Sequence, residues 1–492
     1  MKNLTLLVLF ALISMHLKSQ SYANYSDKLQ IDLSFIPNKY MGYKAGNHYF
    51  SYQIITDKIQ VGKIEAQGIG VAVYNDSLDF VEKFELKGEE KKEKFVDMYK
   101  YDDRIYLISY TNHKDDNTFY YSIFDLKGNK VGRKEICVAD EDNKFEILYS
   151  KDNSKVALVH SNDADYGNDL LMVEAIVFEN GVNALWNKKT QLQYTQRRAD
   201  IVTYLLDNKG SLHLFIYKEK AGNKYRLGEY VCVDNKADTY SEIKAPELPI
   251  NISLSEVDGD IFLASMQYFT KDDAYEFPAL TKLDRNQAVI EIKSDFIKPE
   301  LLNEVVEDNK YDEKKGWSRF MRPIQTWKTS DGKMMVAFEL AYMEKSGQGR
   351  INYTSYINQD VFVFSFNTDY QVETVNYYPK NIEFDEDSQE KNMSSLVIGD
   401  DLYLFYNDDE TNLKKPKKDK RKTCYDGTAV ITKVKKDGSS ESYSINLKGK
   451  KLRCYTETCG RFNNHLYMFV AQTDFYKSKD ARLVEVDFTN MK

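Results

Sequence analysis

The octapeptide NDADYGND sets Asp163, Asp165 and Asp169 around Gly167. Closely spaced carboxylates with a glycine at the bend suit a hard cation that prefers oxygen ligands, and calcium is the ion that would fit. The run has no third early acidic ligand and no distal bidentate glutamate, so an ordinary Asp/Asn/Gly turn explains the same residues. No other cofactor is expected. Catalysis has less to stand on. The chain contains no G-x-S-x-G elbow, H-E-x-x-H helix, P-loop or G-x-G-x-x-G turn. His48, His113, His160, His213 and His465 are the histidines beyond the first 23 residues. Three of them sit inside apolar runs, where a structural role is expected. Carboxylates are abundant, but a glycosidase pair is defined by separation in space. No catalytic residue is assigned.

Other residues are suited to binding. GWSRFMRPIQTW carries Trp317, Arg319, Arg322 and Trp327, the two side-chain types most enriched at binding hot spots. The same tryptophans would serve equally as packing, with the arginines paired to acids. QRRAD supplies Arg197 and Arg198. KKPKKDKRK contains Lys414, Lys415, Lys417 and Lys418. A run of like charges stays extended and attracts anionic surfaces. EFDEDSQE, starting at Glu383, is an acidic counterpart that would neutralise it.

These residues need a scaffold, and composition says which kind. The chain has 492 residues, 13% of them aromatic, with 37 Tyr against 8 Pro, a strand-rich profile. A net charge of -8 argues against general nucleic-acid binding. Residues 1–23 read as a signal peptide: a lysine, an apolar run from Leu4 to Met15, then small residues at Ser21 and Ala23. A cut nearer Gln20 fits as well. No later stretch is apolar for long enough to span a bilayer. The expectation is an exported, periplasmic or cell-surface protein. Five cysteines leave at least one unpaired. Cys137 and Cys232 lie in apolar runs. If CYTETC is extended, Cys454 and Cys459 stand roughly 16 Å apart, too far to bridge. Cys424 with Cys454 is then the better disulfide.

A pair of apolar runs recurs along the chain. The first members follow a tight turn: GNHYFSY, DDRIYLISY, DNSKVALVH, DNKGSLHLFIY, DGDIFLASM, SDGKMMVAF, GDDLYLFY and NNHLYMF. Each is followed by a polar gap and a second run, among them FYYSIFDLKGN, VFVFSFNTDY and RLVEVDF. Alternation and β-branched or aromatic residues make both runs strands, and the Asp/Asn/Gly clusters make hairpin turns. The period of about 55 to 60 residues suits four-stranded units that must stack to bury their faces. This pattern resembles the β-propeller repeat proteins of Kelch or WD-repeat architecture, although neither the WD dipeptide nor the Kelch double glycine is present. The resemblance implies an all-β chain with one propeller over residues 24–492. Eight blades are expected, or seven if a unit is miscounted; two consecutive β-sandwiches would lack the regular period. The last unit lacks a fourth strand, and KLQIDLSFI from Lys28 is expected to supply it and close the ring. Pro299 is expected to open a short helical insertion near 297–316.

Within such a unit, with strands a to d, the a–b and c–d connections are short turns on one face. The b–c and d–a connections are long and share the other. Binding residues concentrate on loops carried by a rigid scaffold. The long-loop face is therefore the expected working face. The expected function is a non-enzymatic scaffold binding an envelope protein or an anionic polymer or surface. The alternative is a propeller glycoside hydrolase or polysaccharide lyase with acids at the channel mouth.

Overall fold

The structure, a computed structural model, describes residues 23–25, 35–55, 66–87, 93–113, 116–140, 143–162, 169–179, 181, 183–219, 226–245, 249–269, 275–292, 321–348, 351–385, 393–413, 415, 424, 427–447, 450–463, 465–472 and 482–490. Every paired run of the sequence is a strand. Asn47–Ile55, Arg104–His113, Lys155–Ser161, Leu212–Glu219, Asp260–Phe269, Met334–Gln348, Asp401–Asp408 and His465–Gln472 are the b strands of eight sheets. Their c partners are Ala66–Asn75, Asp116–Asp125, Leu170–Glu179, Arg226–Val233, Tyr275–Leu283, Ile351–Phe366, Thr428–Val434 and Arg482–Asp487. The protein is an eight-bladed β-propeller.

The a strands of neighbouring blades touch one another. Phe35–Lys44 meets Lys94–Tyr101 on one side and Gly460–Phe462 on the other; Ala199–Leu206, Pro249–Val257, Met321–Lys328 and Ser394–Ile398 follow in series. They line the axis. A bulge interrupts this strand in blades 1, 2, 4, 5 and 6, adding the local twist a crowded inner strand requires. The apolar core is divided among the seams between blades. Phe338 and Phe364 of blade 6 pack with Phe262 and Met266 of blade 5, for example, while Val361 and Val363 pack with Leu402 and Leu404 of blade 7. Each buried aromatic or aliphatic side chain in such a seam is worth about 1.5–3 kcal/mol.

Several of the short turns share one device. An Asp or Asn at the first position accepts the N–H groups two and four residues on, as Asp125 does from Lys127 and Asn129 and Asn367 does from Asp369 and Gln371. The fourth residue is left-handed: Gly128 at φ 80°, Gly210 at 84° and Tyr370 at 61°. Aromatic side chains of the preceding blade then bond the turn carbonyls. Tyr99 Oη donates to Gly181 O at 3.0 Å, Trp186 Nε1 to Gly210 O at 2.9 Å and Tyr378 Oη to Gly438 O at 2.9 Å. These bonds stitch blade to blade.

Four details differ from the sequence reading. The closing strand is Ala23–Tyr25, pairing antiparallel with Val484–Val486, while Phe35–Lys44 is already strand a of blade 1. Alternation alone fits both segments. Residues 26–34, most of KLQIDLSFI, and 297–316, the expected helical insertion, lie outside the described residues. In a chain cut near Gln20, which keeps Ala23, deleting Ala23–Tyr25 is expected to cost about 2 kcal/mol, because it uncovers the polar edge of Arg482–Asp487 and removes Ala23 from the blade 8 core. Thermal unfolding is the check; a midpoint like that of a variant lacking residues 417–419 would dismiss the closure.

Among the described residues, blade 5 keeps three strands. Its expected outer strand, Val289–Glu291, crosses over and pairs in parallel with Glu242–Lys244 of blade 4. Strand a of blade 8 is split into Lys450–Cys454 and Gly460–Phe462 by a short 3-10 turn at Thr456–Thr458. CYTETC is therefore not extended. Cys424 and Cys454 form no disulfide. Cys424 sits beside blade 6, whereas Cys454 is buried in the seam of blades 7 and 8, its sulfur 3.4 Å from Met468 Sδ.

Candidate functional site

Blade 6 dominates the long-loop face. Its b and c strands run 15 and 16 residues, against 7 and 10 in blade 3. They stay paired from Met334↔Phe366 out to Gln348↔Ile351, and strand d follows as far as Ser355↔Asp385. The b–c connection is thus a projecting hairpin. The b–c connection of blade 7 is clasped to it: Cys424 N donates to Asn381 O at 2.9 Å, and Glu383 N donates to Cys424 O at 3.2 Å. This places Cys424, just past the basic run, against Glu383 at the start of the acidic stretch.

A row of charges crosses the base of the projection. Glu339, 1% exposed, accepts Arg322 Nη2 at 2.6 Å and Arg322 Nε at 3.0 Å on one oxygen, and Lys380 Nζ on the other. Lys380 is itself only 2% exposed and lies 5.6 Å from the centroid of the Tyr406 ring in blade 7. Its backbone N–H donates to Asp360 Oδ1 at 3.1 Å. Burial opposes ionisation of Glu339, but the two cations outweigh it and hold its carboxyl below the usual range.

Arg322 is accordingly half-exposed but tied to Glu339. Trp327 does not lie on the long-loop face. It lies at the other end of the same strand, next to the Thr329–Lys333 turn, 4% exposed, with Nε1 donating to Asp400 O at 3.3 Å. It is one more blade-to-blade stitch. Trp317 and Arg319 lie outside the described residues, as do Lys414, Lys417 and Lys418. Lys415 follows the one-turn helix Glu410–Leu413. Arg197 and Arg198 are exposed on the 3-10 turn Gln196–Arg198. That turn is pinned to the b–c connection of blade 3, by Gln196 N to Asp169 O at 2.9 Å and by Gln196 Nε2 to Asn162 O at 2.7 Å. Asp169 is thereby brought beside the arginines. Asp163 and Asp165 lie outside the described residues, and among the described residues no three Asp, Glu, His or Cys side chains are grouped to hold a metal.

Two other polar groupings were not anticipated. At the axis, Lys39, Asp97 and Tyr149 come from the a strands of blades 1, 2 and 3. Lys39 Nζ and Tyr149 Oη each reach an Asp97 oxygen at 2.6 Å. Burial and the Asp97 charge raise the phenol pKa, keeping it a donor. Between blades 2 and 3, Cys137 Sγ lies 3.3 Å from His160 Nε2. Burial pushes the thiol up to about 12 and the imidazole down to about 4. Both are held neutral, so the pair is packing and not an activated nucleophile.

No family model and no curated protein matches the chain. Solved propellers resemble it. The WD40 domain of SCAP from fission yeast gives a TM-score of 0.42 at 9% identity over 95% of this chain and 98% of its own. The β-propeller domain of the Trilobed protease from Pyrococcus furiosus gives 0.37 at 10% over 86% and 96%. A prolyl endopeptidase structure gives 0.38 at 7% over 90% of this chain and 55% of its own, so the chain spans about half of that enzyme. At such scores nothing functional is transferred.

Proposed function

We propose that the protein is an exported, non-enzymatic scaffold of the cell envelope that seats a protein or anionic-polymer partner on its long-loop face, over blades 6 and 7. The observation carrying this reading is the projecting hairpin of blade 6, braced by strand d and by the Cys424 clasp. A braced extension loses little conformational freedom when a partner docks. The leader-like start of the sequence supports export, and among the described residues no helix is long and apolar enough to cross a membrane.

Affinity capture from envelope extracts, compared across variants by quantitative mass spectrometry, tests the reading. Replacing residues 343–356 with an Asn-Gly turn is expected to abolish capture of the main partner without altering the melt. Lys127→Gln with Lys436→Gln, on the short turns, is expected to capture normally. Capture that survives loss of the hairpin, or is lost with the turn variants, overturns the assignment.

A further inference from the structure

The short turns of blades 4 and 5 enclose a cleft of about 600 Å3 on the face away from the hairpin. Its floor is His213, 3% exposed. Nε2 of the ring lies 3.1 Å from Asp207 Oδ2 and Nδ1 lies 2.7 Å from Tyr230 Oη. Its lining includes four aspartates, three lysines and one arginine, and the acids are already engaged. Asp207 holds His213 and the N–H groups of Lys209 and Ser211. Asp234 pairs with Arg285 at 2.7 Å and also accepts the Lys236 and Ala237 N–H groups. Asp260 pairs with Lys282 at 2.7 Å, and Asp284 accepts both donors of Asn286. Lys209 and Lys236 are exposed at the mouth and make no ion pair among the described residues.

We propose that this cleft is a binding site for a sugar-sized anion, a polyhydroxylated molecule bearing a carboxylate or phosphate. Lys209 and Lys236 bring cationic charge to the mouth. With His213 protonated, the lining's five cationic groups exceed its four carboxylates, and the half-exposed Arg285 guanidinium stands on the same wall. The volume lies within the range of small-molecule sites, about 300–1,000 Å3. The walls offer Asn235, Asn286 and Ser211 to hydroxyl groups rather than an apolar slot. Charge-assisted bonds from the two lysines supply the affinity. The neighbouring cleft of blades 5 to 7 is acidic, lined by Asp258, Asp331 and Asp400, and so would not compete for such a ligand.

Calorimetric titration of the full chain with glucuronate, glucose 6-phosphate, glucose and inorganic phosphate decides the matter. Saturable binding of the two sugar acids but not of glucose is expected. In Lys209→Ala/Lys236→Ala it weakens by about tenfold or more with the melting midpoint unchanged. The hairpin-shortened chain, altered on the other face, is expected to bind normally, so this site stands or falls apart from the partner surface. Absence of saturable binding, equal binding of glucose, or undiminished binding by the lysine variant overturns the proposal. Inorganic phosphate binding as tightly as glucose 6-phosphate overturns the assignment of a sugar.

Discussion

Glu339→Ala is expected to destabilise the protein by about 3–5 kcal/mol, the effect of breaking a buried ion pair from one side. The carboxylate is 1% exposed and is bonded by two cations of unequal circumstance. Arg322, 45% exposed, can turn to water. Lys380, 2% exposed, cannot, and its ammonium would be left facing the Tyr406 ring without a counter-charge. The double variant Glu339→Leu/Lys380→Met is expected to recover most of the loss, since apolar replacement of both partners removes the stranded charge. Urea midpoints with far-ultraviolet dichroism measure both. A Glu339→Ala loss of about 1 kcal/mol or less, the size of a surface pair, would mean that the row is solvated and does not fix the base of the hairpin.

Stability is expected to fall as pH rises from near 6.5 to about 9, and His213 is the reason. Burial alone would lower its pKa, but the Asp207 carboxylate bonded to Nε2 helps outweigh burial, and the value is raised from 6.5 to about 9. The folded state therefore binds the proton more tightly than the unfolded chain. Its contribution is fully present below the unfolded value of 6.5 and disappears as pH climbs through the folded value near 9. At 1.36 kcal/mol per pKa unit, the difference amounts to about 3 kcal/mol. His213→Gln should lose this pH dependence, its urea midpoint staying level across the interval in which the wild type declines. Parallel profiles for the two proteins would show that the imidazole is neutral in the fold.

Much of the architecture is legible because the hairpin turns carry their own chemistry. Asp125-Leu-Lys-Gly-Asn129 states a turn by its first carboxylate and its left-handed glycine, and each such turn fixes the strands on either side. Trp327 is grouped with the binding residues by type, although its place could be read: it stands two residues before the Thr329-Ser-Asp-Gly turn, at the short-turn end. The projection of blade 6 was not legible, because alternation stops at Met343 and Glu344 to Gln348 is an unbroken polar run. The clasp of Cys424 and the cleft at His213 were not legible either. Both join residues of neighbouring blades or connections, and the angle between blades is written in no single segment.

The crossover of Val289–Glu291 makes the coupling around the ring uneven. Among the described residues, apart from the Cys424 clasp between blades 6 and 7, most seams adhere through side chains, which can part while each backbone ladder stays whole. Blades 4 and 5 also share a ladder, through Glu242↔Val289, Ile243↔Ile290 and Lys244↔Glu291, with Ile243, Ile290 and Ile292 packed beneath. Parting that seam means breaking backbone hydrogen bonds as well as uncovering apolar surface, so the two blades open together as one cooperative unit. In amide-exchange terms, blades 4 and 5 are expected to protect as one doubled foldon. It surrounds the His213 cleft, setting that cleft in the part of the ring that opens least.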